Sequence, residues 1–81
     1  MFCVRSVALA PGDERAYVEA EWHDALVIVE RGEVELMGAG GACRRFVSGD
    51  LIWLEGVPLR ALHNPGDEPA VLHAVSRTLP A

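Results

Sequence analysis

Lysine is absent from this chain, and its seven basic residues, all arginine, are outnumbered by twelve acidic ones, for a net charge of −5. Arg15, Arg31, Arg60 and Arg77 are scattered, and only Arg44 and Arg45 are adjacent. A polyanion is held by a clustered basic stripe that releases counterions, and no such stripe is written here, so nucleic acid is not an expected partner. Long apolar runs are missing too. None approaches the ~18 residues that a membrane span requires, so no membrane partner is expected. The opening "MFCVRSVAL" lacks the charged head, long apolar middle and small-residue cleavage site of a signal peptide, which points to a cytoplasmic protein. Cysteine is scarce. Cys3 and Cys43 stand without a CxxC or Cys/His ligand spacing, and in a reducing compartment they are expected as two small buried apolar residues. Low-complexity and heavily charged tracts are lacking, which excludes extensive disorder.

What the chain does have is apolar surface, 51% of its 81 residues being hydrophobic. That length makes one domain, 1–81, near the lower end of what a single core stabilises alone. Excess apolar surface on so small a body is hidden most simply in a second copy, so a homodimer is expected.

Turn signals recur at short intervals: "PGD" at 11–13, "RG" at 31–32, "GAGG" at 38–41, "SGD" at 48–50, "EGVP" at 55–58 and "NPGDEP" at 64–69. Between them lie short runs rich in valine, leucine, isoleucine and aromatics, the pattern of an antiparallel sandwich or barrel. Strands are expected over 2–9, 25–30, 32–37, 43–47, 51–55, 59–63 and 70–77. "DERAYVEAE" (13–21) lacks a convincing helical stripe, so extended chain is preferred there. Gly32 reads as the positive-φ residue of a tight hairpin joining 25–30 to 32–37. The last two strands read as a second hairpin with His63 opposite Ala70. That pairing puts residues 63, 70, 72 and 74 on one face and His73 on the other, so the two histidines are not expected to form one site.

The block "VIVERGEVELM", followed by "SGDLIWLEGVPLRALHNPGDEPAVLHAVS", resembles the cupin family over roughly residues 19–77. The signals that carry the likeness are Gly32, the Gly49-Asp50 pair, the "GVP" of 56–58 and the Asn64-Pro65-Gly66 turn. The resemblance implies an all-β, small antiparallel jelly-roll β-barrel. Metal-binding cupins carry a Glu seven residues before the glycine of the first motif and, a few positions earlier, two histidines separated by one residue; here Ala25 stands at the Glu position, and Glu19 and Glu21 at or near the histidine positions. The second motif's histidine position holds Leu59. The chain therefore departs from the pattern at every ligand position, and neither a metal nor a cofactor is expected.

The candidate ligand-binding residues are Glu19, Glu21, His23, Trp53, Leu59 and His63. His23 shares strand parity with Glu21 and Ala25, and a mixed Glu21/His23/His63 set has the donor chemistry for iron, zinc or manganese. Glu19 and Glu21, if buried beside "ALVIV", become a general acid and base with raised pKa. Trp22 and Trp53 are expected to fill the core or a dimer interface. Three function classes follow. The first is a barrel that binds a small, mostly apolar ligand without metal, as a sensor or accessory subunit. The second is a small isomerase, cyclase or oxygenase using Glu21, His23 and possibly His63 in the manner the resemblance allows, and the third is a structural dimerisation domain.

Overall fold

The computed structural model describes residues 2–22, 24–54 and 58–77. Their elements run β1 (Phe2–Leu9), β2 (Glu14–Ala16), α1 (Glu19–Trp22), β3 (Ala25–Arg31), β4 (Glu33–Gly38), β5 (Cys43–Val47), β6 (Leu51–Trp53), β7 (Leu59–His63) and β8 (Ala70–Arg77). Two four-stranded sheets result, a first of order β1-β8-β3-β6 and a second of order β2-β7-β4-β5. All their pairings are antiparallel. Among the described strands only β4 and β5 are neighbours both in sequence and in a sheet, so the chain passes between sheets at nearly every turn. That is the jelly-roll path the sequence resemblance implies.

Strand alternation builds the core. Val7 and Leu9 of β1, Ala25, Val27 and Val29 of β3, and Leu72 and Ala74 of β8 face inward from the first sheet. Val34 and Leu36 of β4 and Leu62 of β7 meet them from the second. Trp22, the largest fully buried side chain, plugs the space beneath the short α1. Burying such side chains contributes about 1.5–3 kcal/mol each for residues of valine or leucine size, which is what holds two small sheets face to face.

Three expectations need correcting. Neither expected hairpin exists: β3 pairs with β6 and β8, while β4 pairs with β5 and β7. Gly32 does take a positive φ of 72°, as its place in the sequence suggests, but it turns a corner from one sheet to the other. Likewise β7 and β8 belong to different sheets, so His63 is not opposite Ala70. Second, residues 13–21 are extended only over β2, which pairs with β7; the chain then makes one helical turn at α1. Glu21 N–H donates to Val18 C=O at 2.9 Å, so local backbone bonding closes that turn without any helical stripe. Third, Cys3 and Cys43 are exposed. Cys3 lies on β1 and Cys43 on β5, each an edge strand of its sheet.

Asn64 anchors the passage from β7 to β8. It is fully buried, and its side-chain amide donates to Leu9 C=O (3.0 Å) and Glu68 C=O (2.7 Å). Its Oδ1 accepts from Gly66 N–H at 2.9 Å. Its backbone also exchanges hydrogen bonds with the 10–13 turn, N–H to Asp13 C=O (2.9 Å) and C=O from Gly12 N–H (3.0 Å). A buried polar residue is tolerated when every donor and acceptor is used, and here one asparagine joins two loops.

Candidate functional site

The β4–β5 hairpin, β6 and the start of β7 line a half-open pocket of about 340 Å³. That volume lies within the range of small-molecule sites. Leu36, Phe46, Ile52, Trp53 and Leu59 give it an apolar lining, and Arg44 supplies its one charged side chain among the described residues. The hairpin turn forms the rim and is held shut by Gly38 N–H donating to Ala42 C=O at 2.6 Å. A second bond, from Ala39 N–H to Pro58 C=O at 3.0 Å, ties the rim to the approach to β7. A Cβ at Gly38 would lie 3.2 Å from the Ala42 oxygen, so the tight turn favours glycine there.

Arg44 reaches the pocket because β5 pairs with β4 in a register that sets Arg44 opposite the inward-facing Leu36 and Phe46 opposite Val34. Its guanidinium lies 5.6 Å from the centre of the Phe46 ring, a cation–π contact that holds the charge against the apolar wall. This arrangement accepts an apolar body and one anionic group. A guanidinium offers a planar fork of donors suited to a carboxylate or phosphate.

Of the residues expected to bind a ligand, the structure brings Trp53 and Leu59 together in this pocket. The others lie elsewhere. Glu19 is exposed at the start of α1. Beside it, burial first and the Glu19 charge second push the Tyr17 phenol above its ordinary pKa. Glu21 is partly buried, with its carboxylate 2.7 Å from Arg15 Nη2 and 3.9 Å from Arg5 Nη1. Arg5 in turn donates to Glu21 C=O at 2.6 Å and lies 5.0 Å from the Trp22 ring. His63 points away from the core on the outer face of the second sheet, with Nδ1 3.4 Å from Glu35 Oε1. His23 lies outside the described residues. Arg60 is exposed and contacts Met37 Sδ at 3.9 Å.

These positions do not fit a metal of the cupin type. Ala25 is packed into the core and Leu59 into the pocket wall, and neither has a donor atom. Glu21 is committed to arginine, and no group of three potential ligands gathers among the described residues. Sequence reasoning missed Leu36, Arg44, Phe46 and the 38–42 rim. The signal present was "GAGGACRRF": a glycine-rich turn next to a strand that sets Arg44 and Phe46 two residues apart, and so on one face.

No family model matches the chain, and no curated protein does. Solved structures do. The chain is similar to the Cupin_2 domain of an XRE-family transcriptional regulator from Enterobacter cloacae, at 23% identity and a TM-score of 0.74, covering 96% of this chain and 83% of that one. It is similar to a Cupin 2 conserved barrel domain protein from Salinispora arenicola, at 28% identity and a TM-score of 0.66. It is also similar to a sugar phosphate isomerase of the cupin superfamily from Silicibacter pomeroyi, at 30% identity and a TM-score of 0.65. It covers 91% and 95% of itself in the last two matches but spans only 60% and 51% of those proteins' lengths. With its two antiparallel sheets and jelly-roll path, this chain is a cupin by fold. No helix among the described residues is long and apolar enough to cross a membrane.

Proposed function

We propose that this barrel binds a small, mostly apolar molecule carrying one anionic group, in a sensing or accessory role. One observation carries the reading: an apolar pocket of about 340 Å³ whose single charged side chain among the described residues is Arg44. Apolar contact supplies the affinity and the guanidinium the orientation, a division of labour common in small-molecule sites. The similarity to an isomerase raises an enzymatic alternative. The described lining, however, holds no carboxylate, imidazole, thiol or hydroxyl to move a proton or attack a substrate, which favours binding over catalysis.

The test is a panel of aryl and alkyl carboxylates beside neutral alcohols of the same skeleton, screened by thermal shift and measured by calorimetry. Carboxylates that fit are expected to raise the melting temperature, since ligand at a hundred times its Kd adds about 2.7 kcal/mol. Arg44→Gln is expected to weaken carboxylate binding about tenfold, the scale of one lost charge-assisted hydrogen bond, and to leave the alcohols unchanged. Ala42→Trp, on the exposed rim, is expected to abolish both by filling the mouth. If the panel binds Ala42→Trp as well as it binds the unaltered chain, the site lies elsewhere.

A further inference from the structure

The outer face of the first sheet carries a set of side chains that the pocket does not use. Strand alternation turns Ser6 of β1 and His73 of β8 outward, because their neighbours Val7, Leu72 and Ala74 are buried in the core. The β1–β8 register sets Ser6 directly opposite His73, and Ser6 Oγ lies 2.9 Å from His73 Nδ1. The third member comes from β3. Val29 faces Leu72 and Arg31 faces Val71, so Glu30 is the extra residue of a bulge. A bulge re-aims the side chain it carries, and here the Glu30 carboxylate bonds His73 Nε2. Ser48 Oγ donates to Glu30 C=O at 2.9 Å and Gly49 N–H to Val29 C=O at 2.8 Å, so the bulged backbone is fixed by the turn after β5.

These bonds decide which ring nitrogen holds the proton. A carboxylate accepts and does not donate, so Nε2 carries the hydrogen and Nδ1 keeps its lone pair for the Ser6 hydroxyl. Nucleophile, base and orienting carboxylate thus stand in line across three adjacent strands, the arrangement that activates a serine. Ser6 and Glu30 are exposed and the His73 side chain is 30% exposed, so a small molecule reaches the hydroxyl. Around it the face is apolar. Val4 and Ala8 flank Ser6, Val71 and Val75 flank His73, and Ile28 pairs with His73 from the other side.

We infer that Ser6, His73 and Glu30 form a second site, separate from the pocket, that hydrolyses small esters with an apolar body. Ser6 Oγ attacks the ester carbonyl carbon while its proton passes to His73 Nδ1. The bond from that carbon to the alkoxy oxygen breaks, and the alcohol leaves with the proton, so the acyl group is now esterified to Ser6. Water then attacks the same carbon and gives a proton to Nδ1. Ser6 Oγ departs with that proton, and the carboxylic acid is released. Ser6 and His73 are the catalytic residues. Glu30 touches no reacting atom and is a positioning residue that holds the tautomer.

Hydrolysis of p-nitrophenyl acetate and butyrate by the purified chain, read against free imidazole at equal concentration, tests the inference. Hydrolysis faster than imidazole gives is expected, and a fluorophosphonate probe is expected to label Ser6, located by peptide mass spectrometry. Ser6→Ala is expected to abolish both, and His73→Gln to slow hydrolysis about a hundredfold, the scale of a general base. In Glu30→Gln the amide can donate to Nε2 and so favours the wrong tautomer. It is expected to lower kcat about tenfold with KM unchanged, a split that altered packing would not produce. His63→Ala, on the outer face of the other sheet, is expected to leave hydrolysis unchanged. Absence of labelling, or hydrolysis no faster than that of imidazole, overturns the inference. Hydrolysis that survives Ser6→Ala or falls with His63→Ala overturns it too, since any exposed imidazole attacks activated esters. Far-ultraviolet circular dichroism of each variant confirms that folding is retained.

Discussion

Replacing Gly32 with valine is expected to cost about 4 kcal/mol of stability and to lower the melting temperature by roughly 15–30 °C, the scale set by domains of this length. Two effects add. The backbone there has φ of 72°, a region that β-branched residues rarely enter, and holding one there costs about 1–3 kcal/mol. In addition, a Cβ at Gly32 would lie 2.7 Å from Pro69 C=O and 3.0 Å from Ala70 Cα, both backbone atoms that cannot swing away. Overpacking of that kind adds about 1–3 kcal/mol. Gly12 and Gly49 separate the two effects. They also have positive φ, 80° and 96°, yet nothing lies within 4 Å of a Cβ built on either. Gly12→Ala and Gly49→Ala are therefore expected to cost only about 1–2 kcal/mol each. Thermal unfolding followed by circular dichroism reads all three. Gly12→Val is melted beside them, and a Gly32→Val melt matching it shows that the close approach at Pro69 contributes nothing.

The second large effect is expected at Asn64. Asn64→Leu keeps the volume and removes three side-chain hydrogen bonds, leaving Leu9 C=O, Glu68 C=O and Gly66 N–H without these partners. Stranded buried groups cost about 1–3 kcal/mol each, and partial hydration of the two outer ones limits the total to about 3 kcal/mol. Asn64→Asp offers an independent check. The carboxyl keeps an acceptor for Gly66 N–H but presents a charge, where the amide donated, to two carbonyl oxygens at a fully buried position. Burial and those oxygens raise its pKa above the unfolded value, so the folded state binds more protons than the unfolded one. Stability of this variant is then expected to increase as pH falls through the carboxylate range, relative to the unaltered chain. Chemical denaturation at several pH values measures it, and a pH-independent difference between the two chains contradicts the buried placement.

Both sites show how far local signals reach. Gly32 and the Asn64-Pro65-Gly66 turn stand out in the sequence because each interrupts a run of strand-forming residues. Their conformational demands are local, and the structure has a positive φ at Gly32 and a tight turn at Asn64. The expected strands over 2–9, 43–47, 59–63 and 70–77 coincide with β1, β5, β7 and β8 for the same reason. The three residues of β2 and the single turn of α1 escaped because neither is long enough to show a period. Trp53 stood out in the sequence for its bulk and Leu59 for its place in the cupin-like motif, and both border the described pocket. Arg44 did not stand out. Its side chain, though exposed, borders the pocket because β5 pairs with β4 in a register that sets it opposite Leu36.

From residue order alone came the all-β class, most strand limits and the points where the backbone must reverse, since alternation and turn chemistry act over a few neighbouring residues. Which strands pair was decided only by tertiary structure. A glycine at positive φ serves a hairpin and a corner between sheets equally well, and the choice rests on contacts tens of residues apart. That choice put His63 and His73 on the outer faces of different sheets and brought Arg44 beside Phe46.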